Sequence, residues 1–422
     1  MNILKVFIQS LSTSLLTMAV TFISGVTVAR LLGPEFRGEW ASIALFINIL
    51  STVSLLSLGD SYLYHKRKYY TEKNISYMIV FSFVIVIIIG TLLFHFAHHL
   101  IDDKFKNISY VWLISTILIG TVFSISRIDK DLLVFNKAKL LVATVNTILI
   151  LFFAYAKNIS VNMLIYIMLF SLFCQFIYVF KNSTLKQFKL DKEWTPVNVF
   201  SYVNYGLKLH LTVVLGILIN NFDKIYLFFN ARNVDFGIYA VAYAFSRLIG
   251  ILPTTLSSVL YARFAGESEK EASKITSLVY SFLFIPLIVA ACILSMLSYF
   301  LVPFIYGKEY QDAIAPICIL LFECVISGLG WILAQRFNAA GKPGLVFIRQ
   351  IIAITPLLFL LWIMPDSNIT IILSLAMLLA SIIRLCITLY MYKKILKEPV
   401  PRFYPNRSTL NMAYKKLRRV NE

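Results

Sequence analysis

One apolar run of about 20 residues follows another along this chain, and each is long enough to cross a bilayer as a helix. In lipid only helices and closed barrels satisfy their own backbone. A barrel needs alternating segments of about ten residues, and Ile79–Ile89 does not alternate. The chain is 59% apolar and 14% charged, with a mean hydropathy of +0.79. A soluble domain carries about 25% charged residues, so the composition argues against a soluble fold. The runs predict an all-α integral membrane protein of twelve helices, near 8–29, 40–59, 77–98, 109–126, 140–156, 163–180, 207–229, 237–260, 275–302, 314–335, 345–364 and 369–392. No small-residue cleavage site precedes Arg30, so the first run is expected to be retained.

With the N-terminus placed inside, the segments expected on the cytoplasmic side hold 29 of the 39 Lys and Arg. The positive-inside rule then puts both termini in the cytoplasm. The net charge of +18 therefore reads as orientation signal and contact with anionic lipid headgroups, with no nucleic-acid partner. The longest connection, Lys181–Gly206, is basic and divides the chain into a six-helix bundle over 1–180, a linker over 181–206 and a second bundle over 207–392. A basic tail over 393–422 follows, read as a segment lying on anionic lipid. No external loop exceeds about a dozen residues, which counts against a membrane-embedded glycan polymerase or ligase acting through a large outer loop. The five cysteines fall inside apolar runs and read as small hydrophobes rather than a disulfide or metal framework. His95, His98 and His99 are too few ligands for zinc. Neither a nucleotide-binding glycine loop nor a nucleophile triad is present, so no enzyme is expected and ATP is not the direct energy source.

The two halves resemble each other. Gly38-Glu39-Trp40-Ala41 and Gly237-Ile238-Tyr239-Ala240 lie 199 residues apart, each opening a span after a short turn. At the same offset Thr13, Thr17, Thr21 and Ser24 correspond to Thr212, Gly216, Asn220 and Asp223, each set on one helix face. A parallel repeat of this kind is a transporter architecture, with the substrate site between the halves.

Residues 207–261 break the rules for a membrane helix. Asn220, Asn221, Asp223 and Lys224 interrupt one apolar run, and Tyr239, Tyr243 and Arg247 recur at four-residue spacing in the next, which Pro253 interrupts. Each ionisable group costs about 2.5–3.5 kcal/mol on insertion scales and reads first as functional. At about 1.5 Å per residue, Arg247 lies roughly 15 Å deep, near the midplane. Glu323 has a similar depth, on a face with Ser327, Trp331 and Gln335, and Arg384 shares a face with Ser381 and Thr388. Arg30, Asp223 and Lys224 fall in the outer third. A cavity lined by these groups has more cations than anions, and the guanidinium fork suits phosphate. On a second reading they neutralise one another, Asp223 with Arg30 or Lys224 and Glu323 with Arg247. Arg127, Arg336 and Arg349 sit near inner ends and are expected to anchor at the interface.

Two stretches carry a family resemblance. One is Val28-Ala29-Arg30-Leu31-Leu32-Gly33-Pro34-Glu35 with Gly38-Glu39-Trp40-Ala41; the other is Asp223-Lys224-Ile225 with Gly237-Ile238-Tyr239-Ala240. With Tyr306-Gly307-Lys308-Glu309-Tyr310 before the tenth span, they resemble the polysaccharide transporter family, the Wzx-type flippases of lipid-linked oligosaccharide (O-antigen) repeat units. That family belongs to the multidrug/oligosaccharidyl-lipid/polysaccharide exporter superfamily. Lipid II flippases resemble the Val-Ala-Arg element but carry further arginines upstream and two more helices. Multidrug exporters of the superfamily take cationic drugs into acidic cavities.

The resemblance implies two bundles around a central cavity, alternating access, and undecaprenyl-diphosphate-linked oligosaccharide as cargo in the bacterial cytoplasmic membrane. Its implied partners are the polysaccharide polymerase and chain-length machinery. Arg247, with Arg30, Lys224 and Arg384, would hold the diphosphate. Asn220, Asn221, Tyr239, Tyr243, Trp331 and Gln335 would meet the sugars. No cofactor is implied. Asp223 or Glu323 would couple a proton or sodium ion, and a membrane potential would favour outward movement of anions by about 2.3 kcal/mol per charge per 100 mV. The rival readings are a cation-coupled multidrug exporter and a glycan polymerase or ligase.

Overall fold

The computed structural model describes residues 3–69, 75, 77–128, 133–182, 198–264, 269–340, 342–363 and 368–405. The linker from 183 to 197 and the tail from 406 onward lie outside the described residues. Every described element is helical, and nine helical segments among the described residues are long and apolar enough to cross a membrane. A tenth arises if Asn233–Ser246 and Ile251–Ser257, bent by 61°, form one span.

α1 (Ile3–Ser54) has 52 residues, about 78 Å at the helical rise and more than twice the bilayer core. It breaks at Gly33, whose φ of 73° and ψ of 175° are non-helical. Glycine takes a positive φ without steric cost, and Pro34 starts the next helix without an N–H to satisfy. A second break precedes α2 (Leu58–Lys68), where Leu56 and Ser57 are both left-handed, at φ 45° and 50°. Such strain persists only where the surroundings fix it. Here Leu58 N–H bonds the Leu55 carbonyl at 3.1 Å and Ser61 N–H bonds that of Ser57 at 3.0 Å.

The chain divides into two compact units, Met1–Gly237 and Ile238–Glu422. In the first, α1 packs against α3 (Tyr77–Ala97), α4 (Lys106–Ile125) and α5 (Leu133–Tyr155), and α5 against α6 (Val161–Asn182). α7 (Val199–Asn220) lies on α2 and leads into α8 (Phe222–Asn230). α3 shows how the membrane sorts faces. Val80, Val84, Ile88, Leu92 and Phe96 form an exposed i, i+4 apolar ridge, while Ser82, Val86, Gly90 and Phe94 are buried against the bundle. Small and polar residues belong on the helix-facing side in lipid, where close backbone approach replaces the hydrophobic drive. A side chain at Gly90 would come within 2.4 Å of Ile117. Trp40 stacks on Trp112 at 5.2 Å, and the Tyr202 hydroxyl bonds Ser82 at 2.7 Å and donates to the Leu58 carbonyl at 2.9 Å.

α9 (Asn233–Ser246) runs from the first unit into the second. The second unit is built around α12 (Ile314–Ala339), packed by α10 (Ile251–Phe264), α11 (Glu269–Ile305), α13 (Pro343–Ile363) and α14 (Ile369–Lys394). Ile317, Leu320, Leu321, Val325, Leu329, Ile332, Leu333 and Phe337 of α12 are all fully buried. A helix apolar on every side is an interior helix, so any charge it carries must find a partner inside the protein.

Candidate anion-binding site

Such a charge is Glu323, which is 1% exposed. One carboxylate oxygen lies 2.9 Å from Nη2 of Arg247 and the other 3.6 Å from Nη2 of Arg384. Three elements thus converge: the break after α9, the middle of α12, and α14.

The break that presents Arg247 follows from local sequence. Pro253 has no N–H for the carbonyl at 249 and its ring crowds that turn, so the helix opens ahead of the proline rather than at it. Turn-like bonds replace the helical ladder: Gly250 N–H to the Arg247 carbonyl at 3.1 Å and Ile251 N–H to that of Leu248 at 3.4 Å. Small residues seat this corner on α12. A Cβ on Gly250 would come within 2.7 Å of Cys324 Sγ, and one on Gly328 within 2.7 Å of the Pro253 ring. The Arg247 guanidinium lies over the Tyr243 ring at 4.3 Å, one helical turn back. A cation on an aromatic face holds its orientation with little desolvation penalty.

The other acceptors of the cluster are neutral among the described residues. Arg384 Nη1 donates to Gln350 Oε1 at 3.1 Å. Arg349, 1% exposed, donates from Nη1 to the Gly330 carbonyl at 2.9 Å and to Thr388 Oγ1 at 3.0 Å, with its guanidinium 5.0 Å from the Trp331 ring. Thr388 donates in turn to the Arg384 carbonyl at 2.6 Å, which links the two arginines through α14. Nε of Arg349 and of Arg384 are buried with no hydrogen-bond partner among the described residues. Arg247 has the most exposed side chain of the cluster at 27%, against 13% for Arg384. Two guanidiniums share one carboxylate and a third lies on neutral acceptors beside them, so the described cluster is net positive.

Of the residues singled out in the sequence, the fold thus joins Arg247, Glu323 and Arg384, with Tyr243 beneath the first. Trp331 faces Arg349, Gln335 is buried and accepts from Asn338 at 3.1 Å, and Tyr239 is fully buried. The others lie in the first unit. Lys224 donates to Asn221 at 3.2 Å and stands 3.9 Å from the fully buried Asp223, while Arg30 and Asn220 are exposed.

Two arginines expected at the interface are instead interior. Arg336, 1% exposed, is held by Glu398 at 2.5 and 3.0 Å. The segment after α14 folds back to make this pair, with the Arg402 carbonyl accepting from Ser281 at 2.8 Å and Phe403 packed 4.7 Å from Phe284. Arg349 is covered by α12 and α14. Hydropathy placed both at helix ends and had no means to register a covering segment or a facing Trp331. Arg127 makes a half-exposed pair with Asp60 at 2.5 Å.

The profile of the polysaccharide biosynthesis protein family matches residues 27–315. The chain belongs to that family. The match spans all the motifs quoted above and includes Arg247, whereas Glu323, Arg349 and Arg384 lie beyond it. No curated protein sequence matches. Among solved structures, the lipid II flippase MurJ in an inward closed conformation aligns with a TM-score of 0.70 at 16% identity, covering 97% of this chain and 91% of that one. An inward-facing multidrug resistance MATE family transporter of the MOP superfamily aligns with a TM-score of 0.67 at 14% identity, covering 93% and 99%. A point mutant of the Vibrio cholerae MATE transporter VcmN gives 0.60 at 14%, covering 93% and 96%. The chain shares its fold with these structures, and this family member is a multi-pass membrane protein.

Proposed function

We propose that this protein is a flippase that moves undecaprenyl-diphosphate-linked oligosaccharide units from the inner to the outer leaflet of the bacterial cytoplasmic membrane by alternating access, and is not an enzyme. The observation that carries this reading is the cluster in which Arg247 and Arg384 share Glu323 while the buried Arg349 is linked through Thr388 to the Arg384 backbone carbonyl. A dianionic diphosphate supplies the negative charge that such a site lacks. Family membership supports polysaccharide biosynthesis as the process, and the MurJ likeness supports a lipid-linked cargo.

Arg247, the most exposed of the three, makes the first contact, and Arg384 the second. Arg30, Lys224, Asn220, Asn221, Tyr239, Tyr243, Trp331 and Gln335 are the further candidates for glycan and phosphate contacts, and Asp223 and Glu323 for coupling a proton or sodium ion. In this reading the nine apolar segments and the bent pair are completed to twelve spans by counting α1 twice across Gly33 and by adding α13. The membrane potential drives the anion outward, and the exported units feed the polymerase and chain-length machinery.

The MATE neighbours support a rival, a drug exporter of the same superfamily. A cluster with surplus guanidinium is a poor host for a cation. In cells lacking the native gene, Arg247→Ala is expected to abolish surface-polysaccharide export at unchanged protein level. Undiminished export removes Arg247 from the mechanism.

A further inference from the structure

Within the second unit four arginines face two carboxylates, and the pairing is uneven. Arg336 has its own partner in Glu398, at 2.5 and 3.0 Å. Arg247 has Glu323, at 2.9 Å. Arg384 reaches the same Glu323 only at 3.6 Å, longer than a charge-assisted hydrogen bond of about 2.8 Å, and its short contact is to the neutral Gln350. Among the described residues Arg349 has only neutral acceptors, the Gly330 carbonyl and Thr388, under the Trp331 ring. Of the other long helices against α12, neither α11 between 275 and 305 nor α10 between Ile251 and Leu260 carries a charged residue, and the charges of the short helix Lys308–Ala313 precede the start of α12. Among the described residues the cluster of Arg247, Arg384, Arg349 and Glu323 therefore carries a net charge of two, with Arg349 furthest from any carboxylate contact.

We propose that Arg349 is a specificity-determining residue that sets the charge this site accepts, making it selective for lipid carriers linked through a diphosphate over those linked through a single phosphate. This rests on the reading of the cluster as the phosphate site. A diphosphate esterified at both ends carries two negative charges, and a phosphate diester carries one. In a low-dielectric interior an unbalanced charge is costly, so the ligand that cancels the cluster is favoured. Arg349 acts as a positioning residue: its 1% exposure keeps it from direct contact, and it acts through its charge on the cluster, with Thr388 joining its Nη1 to the backbone carbonyl of Arg384. Its Nε, like that of Arg384, is a buried donor that no described group of the protein satisfies.

The test uses the purified full chain in detergent and two probes, one hexosamine linked to the same short prenyl chain through a diphosphate or through a single phosphate. The wild type is expected to bind the diphosphate probe at least about tenfold more tightly, the equivalent of one charge contact. Arg349→Met should bring the two affinities to within about twofold, and Arg349→Lys should keep the preference even where both affinities fall. A merely structural Arg349 would weaken both probes alike and leave their ratio intact, which overturns the proposal. Equal affinity in the wild type overturns it without any variant. Binding of neither probe by the wild type overturns the phosphate-site reading itself, and the proposal with it.

Discussion

Gly38 and Gly237 meet backbone to backbone, and each is closed to a side chain by the residue four positions before the other. A Cβ on Gly38 would lie 1.7 Å from the Asn233 carbonyl oxygen, and one on Gly237 would lie 1.9 Å from that of Pro34. The pairs 34/38 and 233/237 are separated by the same 199 residues. The two copies of the motif therefore cross each other reciprocally, as a symmetric contact requires. The close approach accounts for glycine at both positions.

Substitution at either glycine separates the two helices. Gly38→Ala and Gly237→Ala are each expected to cost about 1–3 kcal/mol, the range for overpacking, and leucine at either position should prevent recovery of monodisperse protein. Thermal unfolding of the detergent-solubilised variants measures this. A Gly38→Leu protein that melts with the wild type would show that the helices do not cross here.

Much of this was legible in the sequence, and the limits are instructive. Apolar runs located the helices because lipid leaves the backbone no alternative, and the Gly38 and Gly237 motifs were visible because close crossings tolerate so few residues. Arg247 and Glu323 stood out because charge in an apolar run is rare, and their pairing was one of two readings left open. Arg349 was misread because depth along a helix says nothing about what lies across from it. Its burial depends on Gly330 and Trp331 from α12 and Thr388 from α14, contacts 19 and 39 residues away in sequence for Gly330 and Thr388. The displacement of the helix break from Pro253 to the residues before it was foreseeable from the missing N–H, but its consequence, the aim of Arg247, was not.

The Arg336–Glu398 pair tests the segment that folds back after α14. Glu398→Gln leaves a buried guanidinium without its counter-ion and is expected to cost about 3–5 kcal/mol. Arg336→Met combined with Glu398→Gln should recover most of that loss, because neither charge then remains. A double-mutant cycle on thermal unfolding reads the coupling; additive losses would place Glu398 away from Arg336.

Tyr202 links α7 to α2 and α3 through the Leu58 carbonyl and Ser82. Tyr202→Phe removes the donor to the Leu58 carbonyl and the bond to Ser82, which keeps the Met78 carbonyl as its acceptor, at an expected cost of about 1–3 kcal/mol. The bonds of the phenol share no group with the ion pairs of Arg247, Arg384 and Glu323, so binding of a diphosphate probe by the folded fraction should stay within about twofold. Loss of binding without loss of stability would contradict this assignment.

Removing members of the cluster should have unequal effects. Glu323→Gln takes the carboxylate from both Arg247 and Arg384 and is expected to destabilise more than Arg247→Gln, which leaves Glu323 with Arg384. The expected difference is about 1–2 kcal/mol, read as the order of melting temperatures in one detergent. The reverse order would show that Arg384 does not support Glu323.

The most direct measurement of the central claim is transport by purified protein in liposomes. Fluorescent undecaprenyl-diphosphate-linked oligosaccharide is placed in one leaflet, and its appearance in the other is followed by an impermeant quencher, with a lipophilic cationic dye followed in parallel. A glycolipid flippase is expected to give glycolipid movement above protein-free liposomes, lost in Arg247→Ala with the fold intact, and no dye accumulation. Dye transport under an ion gradient with no glycolipid movement would contradict the flippase reading.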